Sequence, residues 1–171
     1  FEFCRVFLSE GAGQRNLLIA AEIGGSVNRL GSMDFKMLAG PSGARHNAHA
    51  ISLFNDGDRP GTHTYAVVEV SYHLQAIRIL WFDGRRFTEL ASTSITNLRL
   101  DKWYRLSWRV EPTVDPQLIT LSGGVTSVED GSVNASVTVD TGGDRLPGTG
   151  RMGMGTDRAV TRFMHMALGV I

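Results

Sequence analysis

Alternation of apolar and polar side chains between Tyr65 and Val110 is the clearest pattern in the chain. In its last part, residues 104–110 place an aromatic or aliphatic side chain at every second position, with a polar or charged residue between each pair. Successive side chains of a strand point to opposite faces, so this period of two predicts a strand with one buried and one wet face.

Similar short runs, separated by Gly, Asp, Asn and Pro, recur along the whole chain. No segment keeps a helical period over three turns, although a short helix would fit residues 44–50. Asp83 and Gly84 stand between two alternating runs, which is a strong hairpin signal. The pattern predicts an all-β fold, an antiparallel two-sheet β-sandwich. The predicted strands are 3–8, 17–23, 34–38, 48–54, 65–72, 76–82, 87–94, 103–110, 117–122, 133–139, 150–155 and 162–170.

The inward-facing positions of these strands supply enough apolar side chains for a core. Burying one of them contributes roughly 1.5–3 kcal/mol. The predicted core comprises Val68, Val70, Tyr72, Ile77, Ile79, Trp81, Tyr104, Leu106, Trp108, Ile119, Leu121, Val137 and Val139.

Composition narrows the classes of partner. The 171 residues, 42% of them hydrophobic, suit one domain spanning residues 1–171. The 17 basic and 17 acidic residues cancel, which argues against nucleic acid as a partner. No apolar run reaches transmembrane length, so membrane insertion is not expected. The single cysteine, Cys4, excludes an intrachain disulfide. The chain begins at Phe1 rather than Met, so we expect a processed protein or an excised piece.

Three short sequence segments in the second half of the chain resemble those of a known family. They are KWYRL at 102–106, GRMGMG at 150–155 and RFMHM at 162–166. Together with the hairpin before them, they resemble a concanavalin A-like (laminin-G-like) jelly roll, nearest to its bacterial sugar-associated members. The resemblance covers about Tyr65 to Ile171. It implies recognition or cleavage of carbohydrate, often with a structural calcium ion, and an extracellular, periplasmic or cell-surface location.

An oxygen-rich loop is the candidate calcium site. Asn55, Asp56 and Asp58 offer the carboxylate and carbonyl ligands that Ca²⁺ prefers. The alternative is a solvated turn, which the same residue types favour.

Two groups of residues are candidates for ligand binding. Arg45, His46, Asn47 and His49 form a polar cluster able to hydrogen-bond sugar hydroxyls. On a helix, His46 and His49 would share a face as zinc ligands, but two surface histidines are the favoured alternative.

The second group is Arg78, Trp81 and Arg85, because an exposed aromatic ring can stack on a sugar beside an arginine. The alternation itself favours Trp81 as a core residue.

Three functions stay open at this point. The leading one is a non-catalytic glycan-binding module. The second is a glycoside-active enzyme that uses an isolated acid, Glu69 or Glu89, with a nearby histidine. The Glu-x-Asp-x-x-Glu strand of hydrolytic relatives is missing, and no strand offers a carboxylate pair at i and i+2. The third is a self-associating surface, fibre or coat subunit.

Overall fold

The computed structural model describes residues 2–3, 7–10, 15–19, 28–39, 46–55, 63–142, 151–157 and 159–170. The chain is all-β, as the alternation predicts. The described part holds no helix with the length and apolar character that crossing a bilayer requires. Its strands are β1 (Glu2–Phe3), β2 (Phe7–Glu10), β3 (Arg15–Ile19), β4 (Arg29–Met37), β5 (Asn47–Asn55), β6 (Thr64–Ser71), β7 (Ala76–Phe82), β8 (Phe87–Ser94), β9 (Tyr104–Pro112), β10 (Leu118–Ser127), β11 (Asn134–Gly142), β12 (Arg151–Asp157) and β13 (Val160–Val170).

These strands form two antiparallel sheets that pack face to face. The seven-stranded sheet has the order β1-β13-β4-β9-β10-β11, with β2 also paired to β13. The six-stranded sheet has the order β3-β12-β5-β6-β7-β8. The predicted hairpin joins β7 to β8, where Asp83 Oδ1 accepts hydrogen bonds of 2.8 Å from the backbone N–H groups of Arg85 and Arg86.

The core lies between the two sheets and is built by alternation. In β9, Tyr104, Leu106, Trp108 and Val110 are buried, and the residues between them are exposed. All the predicted core residues are buried except Tyr72 and Val139, which are half-buried and pack against the core. Apolar side chains of one sheet therefore meet those of the other, which holds the sandwich together.

A glycine makes room for the indole ring of Trp108 in this core. Gly31 lies opposite Trp108 in the register of β4 and β9. A Cβ atom at Gly31 would stand 2.3 Å from Cζ2 of Trp108. Only a residue without a side chain leaves room for the indole ring in its present position.

The helix considered for residues 44–50 does not form where the structure describes that segment. Residues 47–50 belong to β5 and pair with β6, and His49 and Ala50 also pair with β12. Ala48 and Ala50 have high helix propensity, but in the strand they reach the core. Burial and two flanking strands override the local preference.

Candidate ligand-binding site

The register of the six-stranded sheet brings a line of polar side chains together. His49 of β5 lies opposite Glu69 of β6, which lies opposite Arg78 of β7. Their neighbours along each strand pack in the core, so these three side chains point to the outer face of the sheet. Glu89 of β8 continues the line through its contact with Arg78. These four residues are called the polar row below.

Hydrogen bonds connect the whole polar row. The Nε2 atom of His49 lies 2.7 Å from Oε2 of Glu69. Arg78 donates from Nε to Oε1 of Glu69 at 3.0 Å and also donates to the same oxygen from Nη2. Its third donor, Nη1, reaches Oε2 of Glu89 at 3.0 Å. The guanidinium group is thus held between two carboxylates.

Glu69 is ionised despite its burial. It is only 5% exposed, and its neighbour His49 is fully buried. Burial by itself raises the pKa of Glu69, but the hydrogen bonds and charges of His49 and Arg78 outweigh it and lower the pKa to about 2. An ionised carboxylate only accepts hydrogen bonds, so Nε2 of His49 carries a hydrogen and donates it. Nδ1 of His49 is buried and has no hydrogen-bond partner among the described residues.

Aromatic and aliphatic side chains flank the polar row on the same face. Ile51, Tyr65, Val67, Leu80 and Phe82 form a second buried cluster, separate from the core between the sheets. Phe87 packs against this cluster, and its ring stands edge-on to that of His49 with 6.1 Å between the centroids. The donors and acceptors of the polar row therefore lie beside an aromatic ring.

One end of the polar row is open to solvent. The side chain of Arg78 is 21% exposed and that of Glu89 is 44% exposed. Ser92 lies opposite Arg78 in the register of β7 and β8 and is exposed. A small molecule at this end would meet guanidinium donors and a carboxylate acceptor, and the half-buried Phe87 lies two positions before Glu89 on the same strand.

Comparison with solved structures identifies the architecture. The carbohydrate binding module CBM66 from Bacillus subtilis superimposes with a TM-score of 0.63 at 10% identity, over 95% of this chain and 94% of that one. The exoplasmic/lumenal domain of VIP36, in its Ca²⁺/Man3GlcNAc-bound form, gives 0.63 at 13% identity, over 100% of this chain and 84% of that one. Arcelin-5, a lectin-like defense protein from Phaseolus vulgaris, gives 0.56 at 9% identity, over 90% and 75%. The chain has the concanavalin A-like jelly-roll fold.

At 9–13% sequence identity, the similarity to these structures shows a shared fold and does not assign binding residues. No protein-family model and no curated protein sequence matches the chain. The assignment of residues to a site therefore depends on the geometry of this chain.

The predicted cluster at residues 45–49 separates in the jelly roll. His46 and His49 are three apart near the start of a strand, so they do not share a face as they would on a helix. Asn47 is buried and ties β5 to β12: its Nδ2 donates to the carbonyl of Asp157, and its Oδ1 accepts from the N–H of the same residue, both at 2.9 Å. Arg45 lies outside the described residues.

The second predicted group is also divided between faces. Arg78 belongs to the polar row, whereas Trp81 is 4% exposed and packs in the core between the sheets. Trp81 and Arg78 occupy positions of opposite parity in β7, so the indole does not face a ligand beside Arg78. Arg85 is exposed in the turn between β7 and β8.

The candidate calcium site falls mostly outside what the structure describes. Asn55 ends β5, but its side chain is not described, and Asp56 and Asp58 lie outside the described residues. Among the described residues, no three His, Cys, Asp or Glu side chains gather as a metal site. Calcium binding at this loop stays a prediction.

A second concave surface lies on the other sheet of the jelly roll. A trough of about 560 Å³ crosses the outer face of the seven-stranded sheet. Its floor includes Ser32, Ser107, Gly124 and Ser136, which lie side by side across four strands. Arg109 borders the trough and pairs with Glu111 at 3.3 Å. The trough offers hydroxyl groups. The buried carboxylate of Asp34, bonded to Arg105 and in contact with His165, lies two positions from Ser32 on the same face.

Proposed function

We propose that this protein is a non-catalytic glycan-binding module, and that it binds sugar at the open end of the polar row. The observation that carries the proposal is the fixed guanidinium of Arg78, which two carboxylates orient. A sugar ring presents hydroxyl groups that both donate and accept. Arg78 supplies donors, Glu89 supplies an acceptor, and the ring of Phe87 offers an apolar surface beside them.

Preorganisation favours binding at this position. Glu69 is buried and ionised, so Arg78 and His49 are held in place before any ligand arrives. Side chains that are already ordered lose less conformational entropy on binding than mobile ones.

The fold supports the same proposal. Among the solved structures with this fold are a carbohydrate binding module and a domain bound to Man3GlcNAc. Jelly rolls host many functions, so this likeness raises the expectation of sugar binding but does not select residues.

The charge balance of the polar row points to neutral sugars. The single positive charge of Arg78 is shared between Glu69 and Glu89. An acidic sugar would bring a further negative charge to a place with more carboxylates than cations. We therefore expect hexoses and their neutral oligosaccharides to bind in preference to uronic acids.

The ionised state of Glu69 favours ligand binding over hydrolysis as the function of this site. A glycosidase needs one carboxylic acid with a raised pKa that protonates the leaving oxygen. The pKa of Glu69 is lowered instead, to about 2, and its proton acceptor sites are occupied by His49 and Arg78. The converging pair of His49 and Glu69 is therefore suited to orienting Arg78.

The proposal extends to the setting of the protein. An extracellular, periplasmic or cell-surface location would give a glycan-binding module access to polysaccharide. A Ca²⁺ ion on Asn55, Asp56 and Asp58 would order the loop after β5. Binding measured with Ca²⁺ and with a chelator tests that part separately.

A glycan array with purified protein, with and without Ca²⁺, tests the function. We expect binding to neutral oligosaccharides, and at least a tenfold loss of affinity in Arg78→Ala and in the more exposed Glu89→Ala. Arg109→Ala is the matched control, because Arg109 also pairs with a glutamate but lies on the other sheet. Wild-type protein that binds no glycan in either condition refutes the function. Equal binding by wild type and folded Glu89→Ala and Arg78→Ala refutes the site.

A further inference from the structure

Two histidines meet at one end of the sandwich, away from the polar row. His46 stands just before β5, and His73 lies in the turn that joins β6 to β7. The Nδ1 atom of His46 is 3.1 Å from Nε2 of His73, and the ring centroids are 5.1 Å apart. The two residues are 27 positions apart in sequence, so the fold and not local spacing brings them together.

Hydrogen bonds hold both backbones in place. The N–H of Tyr72 donates to the carbonyl of His46 at 2.9 Å, which links the two segments directly. The side chain of Gln75 donates to the carbonyls of Tyr72 at 2.7 Å and Leu98 at 3.2 Å. The turn that carries His73 is thereby fixed against its neighbour, and the two imidazoles meet on an ordered framework.

The separation of the two nitrogens matches shared coordination of one ion. Zinc lies about 2.0–2.1 Å from an imidazole nitrogen, so two ligands in a tetrahedral arrangement have nitrogens about 3.3 Å apart. The observed 3.1 Å is close to that value. If both rings turned so that these nitrogens faced one point, two bonds to a metal ion would replace the hydrogen bond between the imidazoles.

The charges around the pair suit a cation. Burial, and secondly the neighbouring His73, lower the pKa of His46. The carboxylate of Asp101 acts on His46 in the opposite direction, as a nearby negative charge does. The backbone of Asp101 is held by a hydrogen bond of 2.8 Å from its N–H to the carbonyl of Met37.

We propose that His46 and His73 bind one divalent transition-metal ion of the zinc class. Imidazole is a preferred ligand for Zn²⁺, Ni²⁺ and Cu²⁺, and a poor one for Ca²⁺ and Mg²⁺. The described residues supply no third side chain to this pair, so water completes the coordination. The bound ion joins the start of β5 to the turn between β6 and β7.

Isothermal titration of untagged protein with ZnCl₂ tests the site. The protein is treated with EDTA and desalted, and every protein in the comparison, the reference included, carries Cys4→Ser so that the thiol does not compete. We expect one ion per chain with a micromolar dissociation constant, and at least a tenfold weaker affinity in His73→Ala and in His46→Gln. His165→Ala is the control, because His165 is exposed on the other sheet. Circular dichroism establishes that each variant is folded.

Nuclear magnetic resonance of the imidazole nitrogens gives the second measurement. Zn²⁺ should shift Nδ1 of His46 and Nε2 of His73 together, and Ca²⁺ should shift neither. A wild-type titration without binding up to 1 mM Zn²⁺ overturns the proposal. Equal affinity in wild type and the folded His73→Ala and His46→Gln variants also overturns it, as does a metal-dependent shift confined to other histidines.

Discussion

His49 donates a hydrogen bond from Nε2 to the carboxylate of Glu69 at 2.7 Å, across two neighbouring strands of the six-stranded sheet. Both side chains are buried on the face that points away from the second sheet. Because an ionised carboxylate needs compensation when it leaves water, this contact and the one to Arg78 decide whether Glu69 can stay charged. The contacts of Glu69 therefore affect both stability and the orientation of Arg78, on which the proposed ligand binding depends.

Replacing Glu69 by Gln tests this dependence. The amide has the size of the acid but no charge, so Arg78 loses its buried counterion, and His49 loses a charged acceptor for its hydrogen bond. Removing one partner of a buried ion pair costs about 3–5 kcal/mol, and we expect a loss of that order in the free energy of unfolding. Urea denaturation followed by circular dichroism measures it.

Glu89→Gln is the control for Glu69→Gln. Glu89 bonds to the same guanidinium, but its side chain is 44% exposed, so its removal should cost less than about 1 kcal/mol. If the two variants lose equal stability, burial does not determine the strength of these contacts.

Acid should weaken the fold through Glu69. Its pKa is about 2 in the folded protein, whereas a free glutamate, like that of the unfolded chain, has a pKa of 4.5. The unfolded chain therefore binds a proton more readily. The contribution of Glu69 is then fully present above pH 4.5 and is lost as the pH falls from 4.5 to 2. The lowered pKa corresponds to roughly 3 kcal/mol of stability.

A pH series of denaturation curves checks this sign. The difference in stability between wild type and Glu69→Gln should be constant from pH 7 to pH 5 and should shrink below pH 4.5. A difference that grows as the pH falls would contradict the ionised state of Glu69 in the folded protein.

The strands could be predicted from the sequence because their signal is local. In β9, Leu106 and Trp108 alternate with exposed polar residues, and a period of two needs no knowledge of the partner strands. The same holds for the Asp83 turn, where one side chain caps the backbone within three residues.

The polar row could be predicted only in parts. His49 and Arg78 were candidate ligand-binding residues, and Glu69 was a candidate acid, but their pairing depends on the register of three strands. Glu69 is 20 residues from His49 and 9 from Arg78. The local signal is a charged residue within an apolar run, Glu69 in β6 and Arg78 in β7, because a buried charge needs partners.

Whether two side chains at a given sequence separation share a face depends on the secondary structure that carries them. A separation of three places His46 and His49 on one face of a helix and on opposite faces of a strand. The histidine that does meet His46 is His73, from a different strand connection. No sequence period links those two positions.

Two substitutions of Trp81 test whether its ring packs in the core or stacks on a sugar. The ring is buried between the sheets, so Trp81→Ala should cost about 3–5 kcal/mol in stability. Trp81→Phe keeps an aromatic ring in the core and should leave glycan affinity within twofold of wild type. Affinity measured on the folded Trp81→Phe variant decides the matter, since a large loss there would place the indole in contact with ligand.

Gly31 gives a test of the core that is independent of the polar row. A methyl group at this position would stand 2.3 Å from Cζ2 of Trp108, so the indole or the strand must move. Overpacking of this kind costs about 1–3 kcal/mol, and thermal or urea unfolding of Gly31→Ala should show a loss in that range.

Gly169→Ala is the matched control, because its Cβ would meet Leu30 at an ordinary 3.4 Å. Gly31→Ala should recover stability when Trp108 is shortened to Phe, since the smaller ring leaves the space that the methyl group needs. Equal stability of Gly31→Ala and Gly169→Ala would show that the indole moves aside at no cost.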